Sequence, residues 1–252
     1  MTENLTRHWR DAGINENDIV LIHSSIKRTC GLGYTPTQIL QSFIDAVGPG
    51  GTVIFPLFNF DFCKGADFDI RETPSHMGTL TEAARASPGA VRTGHPVYSF
   101  AVIGAAKDQF AGIVNKSAYG KDSPFAKIIE LDGKVAVLDM PGQNSMTFYH
   151  HVEEICDVPY RYHKDFTGNY TGWDGKTDTR TFSIFVRDLE KGVLTDVEGM
   201  EKRLWEEKIY SGDKPKEGNG LRVARASELF KAVKSVIDAG QAEGVLFSYS
   251  KA

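Results

Sequence analysis

From about residue 18 to residue 156, short apolar runs of strand length alternate with stretches whose apolar residues recur at three- and four-residue spacing, a pattern that leaves few architectures open. DIVLIHSS (18–25), GTVIFPLF (51–58), YSFAVIG (98–104) and KVAVLDM (134–140) read as strands. Thr35-Pro36-Thr37-Gln38 combines a capping residue, a proline at the first helical position and a glutamine three residues after the cap. Ile39, Leu40, Phe43, Ile44 and Val47 then supply one helical face. Ser75 and Ser123 can cap helices running through MGTLTEAARA and FAKIIEL. Strand and helix in alternation predict an α/β protein.

Beyond residue 157 the polar stretch HKDFTGNYTGWDGKTDTR predicts a β-hairpin or lid, an insertion near 160–182 in a single domain spanning 1–252. A strand TFSIFVR (181–187), a helix with Leu229, Phe230, Val233, Val236 and Ile237 on one face, and a strand VLFSYS (245–250) follow.

A chain of 252 residues with 41% apolar and 25% charged residues has the composition of an ordinary globular protein. A formal net charge of −4 with the signs interspersed argues against nucleic acid as a partner. No apolar stretch approaches the roughly 20 residues that cross a bilayer, and the opening MTENLTRHWRDAG lacks a signal-peptide core. No membrane partner and a cytoplasmic location are therefore expected. Cys30, Cys63 and Cys156 are odd in number and without C-x-x-C spacing, so they are expected to be free thiols.

The densest group of chemically able residues is Thr147-Phe148-Tyr149-His150-His151-Val152-Glu153-Glu154. On a helix His150 would neighbour both Glu153 and Glu154. A carboxylate beside it would raise its pKa from about 6.5, and the histidine could serve as a general base. The same spacing also suits a solvated helix face with incidental charge pairs. The pattern is not H-E-x-x-H and marks no third ligand, so no metal is expected.

A second group is the loop His23-Ser24-Ser25-Ile26-Lys27-Arg28, whose amides, hydroxyls and cations could meet phosphate oxygens. It matches neither a dinucleotide fingerprint nor a Walker loop. Thr73-Pro74-Ser75-His76-Met77-Gly78, Arg92-Thr93-Gly94-His95-Pro96-Val97-Tyr98-Ser99 and Tyr119-Gly120-Lys121-Asp122-Ser123-Pro124 each read as a turn with a helix cap or as part of a ligand loop.

In order, H-S-S (23–25), G-T-V-I-F-P (51–56), T-P-S-x-M-G (73–78), G-A-V-R-T-G-H-P-x-x-S (89–99), G-x-x-S-P (120–124) and T-x-x-H-x-x-E (147–153) make the chain resemble the aminoglycoside 3-N-acetyltransferase family of antibiotic N-acetyltransferases. The resemblance implies that family's own α/β fold, with a mixed central sheet flanked by helices. It also implies direct transfer of an acetyl or related short acyl group from acyl-CoA to an amine. His150 takes the place of the catalytic histidine and Glu153 that of its acid. Coenzyme contacts fall on His23, Ser24, Ser25, Lys27, Arg28, Ser75, Arg92, His95, Ser99 and Ser123. Thr147 and the Ser24-Ser25 loop are candidate oxyanion donors.

Where an acid-rich strand is expected from the family, this chain reads Phe185-Val186-Arg187-Asp188-Leu189-Glu190, leaving Asp188 as the second acid. Arg161, Lys164 and Arg187 suit phosphate, and Asp61 joins them as a substrate contact. These residues favour a nucleotide-linked amino sugar of surface-polysaccharide synthesis as acceptor, with an aminoglycoside as the alternative. A non-catalytic coenzyme or nucleotide-sugar binder is the reading from a different class. The partners expected are small molecules, and a homodimer is left open.

Overall fold

The computed structural model describes residues 2–214 and 220–250. Its strands in chain order are β1 (Ile19–Ser24), β2 (Thr52–Pro56), β3 (Phe68–Asp69), β4 (Val91–Arg92), β5 (Phe100–Gly104), β6 (Lys134–Leu138), β7 (Arg161–Thr171), β8 (Thr177–Arg187), β9 (Val193–Thr195), β10 (Ser211–Gly212), β11 (Leu221–Arg225) and β12 (Phe247–Tyr249). The helices are α1 (Glu3–Asp11), α2 (Lys27–Gly31), α3 (Pro36–Val47), α4 (Thr79–Arg85), α5 (Pro124–Glu130), α6 (Thr147–Ile155), α7 (Glu198–Glu206) and α8 (Ala226–Asp238).

Seven strands form one sheet in the order β10-β11-β6-β1-β2-β5-β4. β6, β1 and β2 run parallel, while β11, β5, β4 and β10 pair antiparallel to their neighbours, so the sheet is mixed. The expected α/β fold with a mixed central sheet is observed.

Burial on both faces explains why the parallel strands read as continuous apolar runs. Val20, Ile22, Val53 and Phe55 pack with Trp9, Ile39 and Phe43 on one side, whereas Leu21, Ile54, Val135 and Val137 pack with Phe125, Phe148, Val152 and Leu229 on the other. Successive side chains of a strand point to opposite faces. The cap of α3 has the chemistry its sequence predicts: the Gln38 N–H donates to Thr35 Oγ1, and Gln38 Oε1 accepts from the Thr35 N–H.

Two expected caps differ. α4 begins after Gly78 rather than at Ser75, and the Ser75 hydroxyl is bonded to Thr81 and accepts from the Met77 N–H. Ser123 has the extended backbone of a cap but makes no side-chain cap bond to α5. The polar segment after residue 160 is a long antiparallel hairpin of β7 and β8, paired in register from Arg161↔Arg187 to Thr171↔Thr177. Short β3 extends it to a three-stranded sheet, and β9 pairs with β12 separately. Among the described residues no helix is long and apolar enough to cross a membrane.

Topology marks where a ligand belongs. From β1 the chain lays β2 on one side and later β6 on the other, which makes the carboxyl end of β1 a switch point. Ligands of open α/β sheets sit in the crevice outside such a point.

Candidate active site

His150 and His151 are adjacent on α6 and face opposite ways. His151 is buried, its Nδ1 2.6 Å from the Tyr119 carbonyl and its ring against Phe230 of α8. His150 turns toward the β7–β8 hairpin, its side chain 19% exposed, in a cleft of about 350 Å³ that it shares with Tyr98, Tyr119, Lys164, Phe166 and Arg187.

Its carboxylate partner is Glu153, one helical turn on: Nδ1 of His150 lies 2.7 Å from Oε2. Glu154 looks elsewhere and accepts from the Ser117 hydroxyl at 2.8 Å. The same Glu153 Oε2 meets Arg161 Nε at 2.7 Å, and Arg161 and Glu153 are 5% and 2% exposed. Arg161 opens β7 and anchors it by donating to the Phe185 carbonyl.

This triple arrangement fixes the protonation pattern. Arg161 and the His150 bond outweigh burial and hold the Glu153 carboxyl below its ordinary range, so it stays an acceptor. Nδ1 of His150 must then carry the proton it donates, which leaves Nε2 as the basic nitrogen. Burial first, and the Arg161 charge second, push the His150 pKa down against the pull of Glu153. Sequence reasoning expected the carboxylate to raise it; Arg161 neutralises that carboxylate, so desolvation prevails. His150 is thereby neutral at neutral pH.

The basic residues around the cleft divide by role. Arg161 is spent on Glu153 and on backbone, not held free for a phosphate as expected from sequence. Lys164 and Arg187 do line the cleft. Arg187 also donates to the Thr195 hydroxyl at 3.3 Å.

Other expected site residues lie apart from the cleft. Asp188 caps a turn through the Lys191 N–H and pairs with Lys191 Nζ at 2.9 Å, and neither it nor Thr147 lines the cleft of His150. Asp61 sits between Lys64 and His76, 3.1 and 3.5 Å away.

Arg92, His95 and Ser99, expected as coenzyme contacts, are instead internal struts. The buried Arg92 guanidinium donates to Ser99 Oγ and to the carbonyls of Ile70 and Thr73. Nδ1 of His95 accepts from the N–H groups of Val97 and Tyr98, and its Nε2 faces the Ser183 carbonyl of β8 at 3.2 Å. Burial lowers its pKa to about 4, which keeps the ring neutral and able to accept those two amides. Ser123 is buried, with its hydroxyl lacking a hydrogen-bond partner. Ser75 belongs to its own turn, as described above.

His23, Ser24 and Ser25 end β1 at the switch point. His23 is buried, its pKa lowered to about 4 and its Nε2 unpartnered. Ser25 N–H is committed to the Leu138 carbonyl. Lys27 and Arg28 are exposed on α2, and Arg28 stands 3.6 Å from Asp139. Arg28, but not Lys27, lines a cleft of about 660 Å³ with Thr29, Leu32, Tyr34, Leu138 and Asp139 and with residues of α1 and of the strand-edge turn. A line of rings connects this edge to the histidine: His23 to Phe58 at 6.5 Å, Phe58 to Tyr98 at 4.6 Å, Tyr98 to Tyr119 at 4.9 Å and Tyr119 to His150 at 5.4 Å. No group of three or more His, Cys, Asp or Glu side chains suited to a metal ion occurs among the described residues.

Tyr98 and Tyr119 lie inside two of the sequence motifs, but nothing in a single tyrosine separates a core ring from a cleft wall.

A mixed α/β sheet with a histidine–glutamate–arginine set on α6 and β7, beside a cleft walled by the hairpin, defines the class of protein. The chain belongs to the aminoglycoside 3-N-acetyltransferase family, whose sequence profile it matches over residues 21–238. It is 33% identical over 171 residues to the aminoglycoside N(3)-acetyltransferase IX of Micromonospora chalcea, covering 59% of each chain. To the aminoglycoside N(3)-acetyltransferase VII of Streptomyces paromomycinus it is 30% identical over 185 residues, 64% of this chain and 63% of that one. The match thus spans less than two thirds of either relative.

Among solved structures, aminoglycoside acetyltransferase AAC(3)-Xa superposes with a TM-score of 0.81 at 22% identity, covering 97% of this chain and 93% of that one. The AAC-IIIb binary complex with CoASH gives 0.79 at 21%, covering 100% and 99%. At these identities the likeness is one of fold.

Proposed function

We propose that this chain is an acetyl-CoA-dependent N-acetyltransferase whose acceptor is the 3-amine of an aminoglycoside, with His150 as its general base. The names of its relatives support the acceptor. The observation that carries the chemistry is the single Glu153 oxygen shared by His150 Nδ1 and Arg161 Nε, which leaves His150 Nε2 neutral beside the cleft.

An ammonium has no lone pair to attack a thioester, so the acceptor enters as the free amine. As its nitrogen adds to the carbonyl, Nε2 of His150 takes the proton that the new bond makes acidic. Glu153 stabilises the imidazolium so formed, and Arg161 keeps Glu153 ionised. The C–S bond then breaks, and the imidazolium returns the proton to the leaving thiolate.

Acetyl-CoA is assigned to the switch-point crevice, with Lys27 and Arg28 toward its phosphates and its pantetheine following the edge from Ser24 to Tyr98. The size of the neighbouring cleft fits a nucleotide end. The β7–β8 hairpin is read as one wall of the acceptor site. A cytoplasmic enzyme of small molecules, with a homodimer open, goes with this reading.

One observation favours a second acceptor. Lys164 and Arg187 face the cleft and no carboxylate lines it, which suits an anionic amino sugar such as a nucleotide-linked one better than a polycation. The relatives favour the aminoglycoside. Thiol release from acetyl-CoA with kanamycin, gentamicin and nucleotide-linked amino sugars as acceptors tests both. Turnover with the first two supports the proposal, turnover with the last alone moves the acceptor assignment, and none with any overturns the activity.

A further inference from the structure

Acyl transfer needs a donor for the oxygen that becomes negative as the carbonyl turns tetrahedral. The usual suppliers are backbone N–H groups. Near the cleft the amides of Val97 and Tyr98 are consumed, since both donate to Nδ1 of His95. Thr147 does not line the cleft, and Lys164 is an exposed side chain whose ammonium rests 5.7 Å from the centre of the Phe166 ring. In the Ser24-Ser25 loop the Ser25 N–H is likewise consumed by the Leu138 carbonyl, which turns attention to a preorganised side-chain donor lining the cleft.

Tyr98 meets that requirement. Its ring is half-buried, wedged against Phe58 at 4.6 Å and edge-on to Phe60 at 5.6 Å and Tyr119 at 4.9 Å. Its backbone is pinned from behind by His95, which the Ser183 carbonyl of the hairpin holds in turn. Tyr119, deeper and 2% exposed, stands edge-on between Tyr98 and His150. Both phenols line the cleft. Burial pushes both pKa values up. Each therefore keeps its proton and acts as a donor at neutral pH. The edge-on Tyr119 ring, 4.9 Å away, holds the Tyr98 ring in place.

We propose that the Tyr98 hydroxyl is the oxyanion donor of the acyl-transfer step, that Tyr119 supports it, and that His95 is a positioning residue that fixes the Tyr98 backbone. The assignment rests on the N-acetyltransferase reading given above. As the amine nitrogen bonds to the carbonyl carbon, the π pair moves onto oxygen and is met by the Tyr98 O–H, while His150 takes the amine proton. On collapse the pair returns, the C–S bond breaks and the hydroxyl keeps its own proton throughout. Tyr98 sits midway along the line of rings from the switch point to His150.

The test compares the unmodified protein with Tyr98→Phe and Tyr119→Phe, measuring steady-state kinetics with acetyl-CoA and kanamycin, CoA affinity by calorimetry, and Tm. Loss of one oxyanion donor costs about 10²- to 10³-fold in kcat. Tyr98→Phe is expected to lose kcat and kcat/KM together, with the CoA Kd, Tm and acidic limb of the pH profile unchanged, because an interaction made only in the transition state leaves ground-state binding alone. Tyr119→Phe is expected to lose less. An active unmodified protein whose Tyr98→Phe variant keeps more than about a tenth of its turnover, or loses activity only through KM or Tm, overturns the role of Tyr98 and leaves the acetyltransferase standing. An unmodified protein inactive with every acceptor of the panel overturns both.

Discussion

Glu153 meets Arg161 at 2.7 Å through the same Oε2 that holds His150 Nδ1. A pair this buried is expensive to break from one side, because the survivor is left charged and unpaired. Arg161→Met should destabilise the protein by about 3 kcal/mol, whereas Arg161→Met with Glu153→Gln should recover part of that loss. Denaturant titration of the single and double variants checks the coupling. Additive losses would mean that the two residues act independently.

The same relationship sets a pH dependence. Because burial and Arg161 lower the His150 pKa, its base form persists below the range of an ordinary histidine. The acidic limb of kcat/KM assigned to it should fall below about pH 6.5. Glu153→Gln should cost about 10²- to 10⁴-fold, since an amide can orient the ring in either tautomer. A limb above pH 7 would show that the carboxylate, not desolvation, governs this histidine.

Two further histidines make stability depend on pH. His23 and His95 have folded pKa values of about 4 against about 6.5 unfolded. The unfolded chain therefore binds protons first, and stability present above pH 6.5 is lost as pH falls toward 4. Each histidine should remove about 2 kcal/mol between pH 7 and pH 5. Unfolding free energies at the two pH values measure it. A flat profile would mean that one or both rings are charged in the folded protein.

Charge at the two clefts gives opposite expectations. Lys27→Ala and Arg28→Ala should raise KM for acetyl-CoA and weaken its salt dependence, with kcat little changed. Lys164→Glu and Arg187→Glu should lower KM for kanamycin by removing like-charge contact. A rise in KM from either glutamate would point to an anionic acceptor.

Much of the sheet was legible in the sequence because strands buried on both faces leave an uninterrupted apolar signal, as β1, β2 and β6 do. The cap of α3 was legible because Thr35, Pro36 and Gln38 act within four residues of each other. α1 was not, since only Leu5 and Trp9 of its polar run are buried. His150 and Glu153 could be paired because they share a helix. Arg161 could not be assigned to Glu153, because that contact depends on where a hairpin lands. Arg92, His95 and Ser99 stand in a ligand-like motif yet bond inward, and motif position alone does not say which way a side chain turns.

The most direct test of the account is turnover of acetyl-CoA with kanamycin by the unmodified protein and by His150→Ala, with CoA binding followed in both. The account predicts N-acetylation by the first, a loss of about 10²- to 10⁴-fold in kcat for the second, and equal CoA affinity. Near-full turnover by His150→Ala would contradict it.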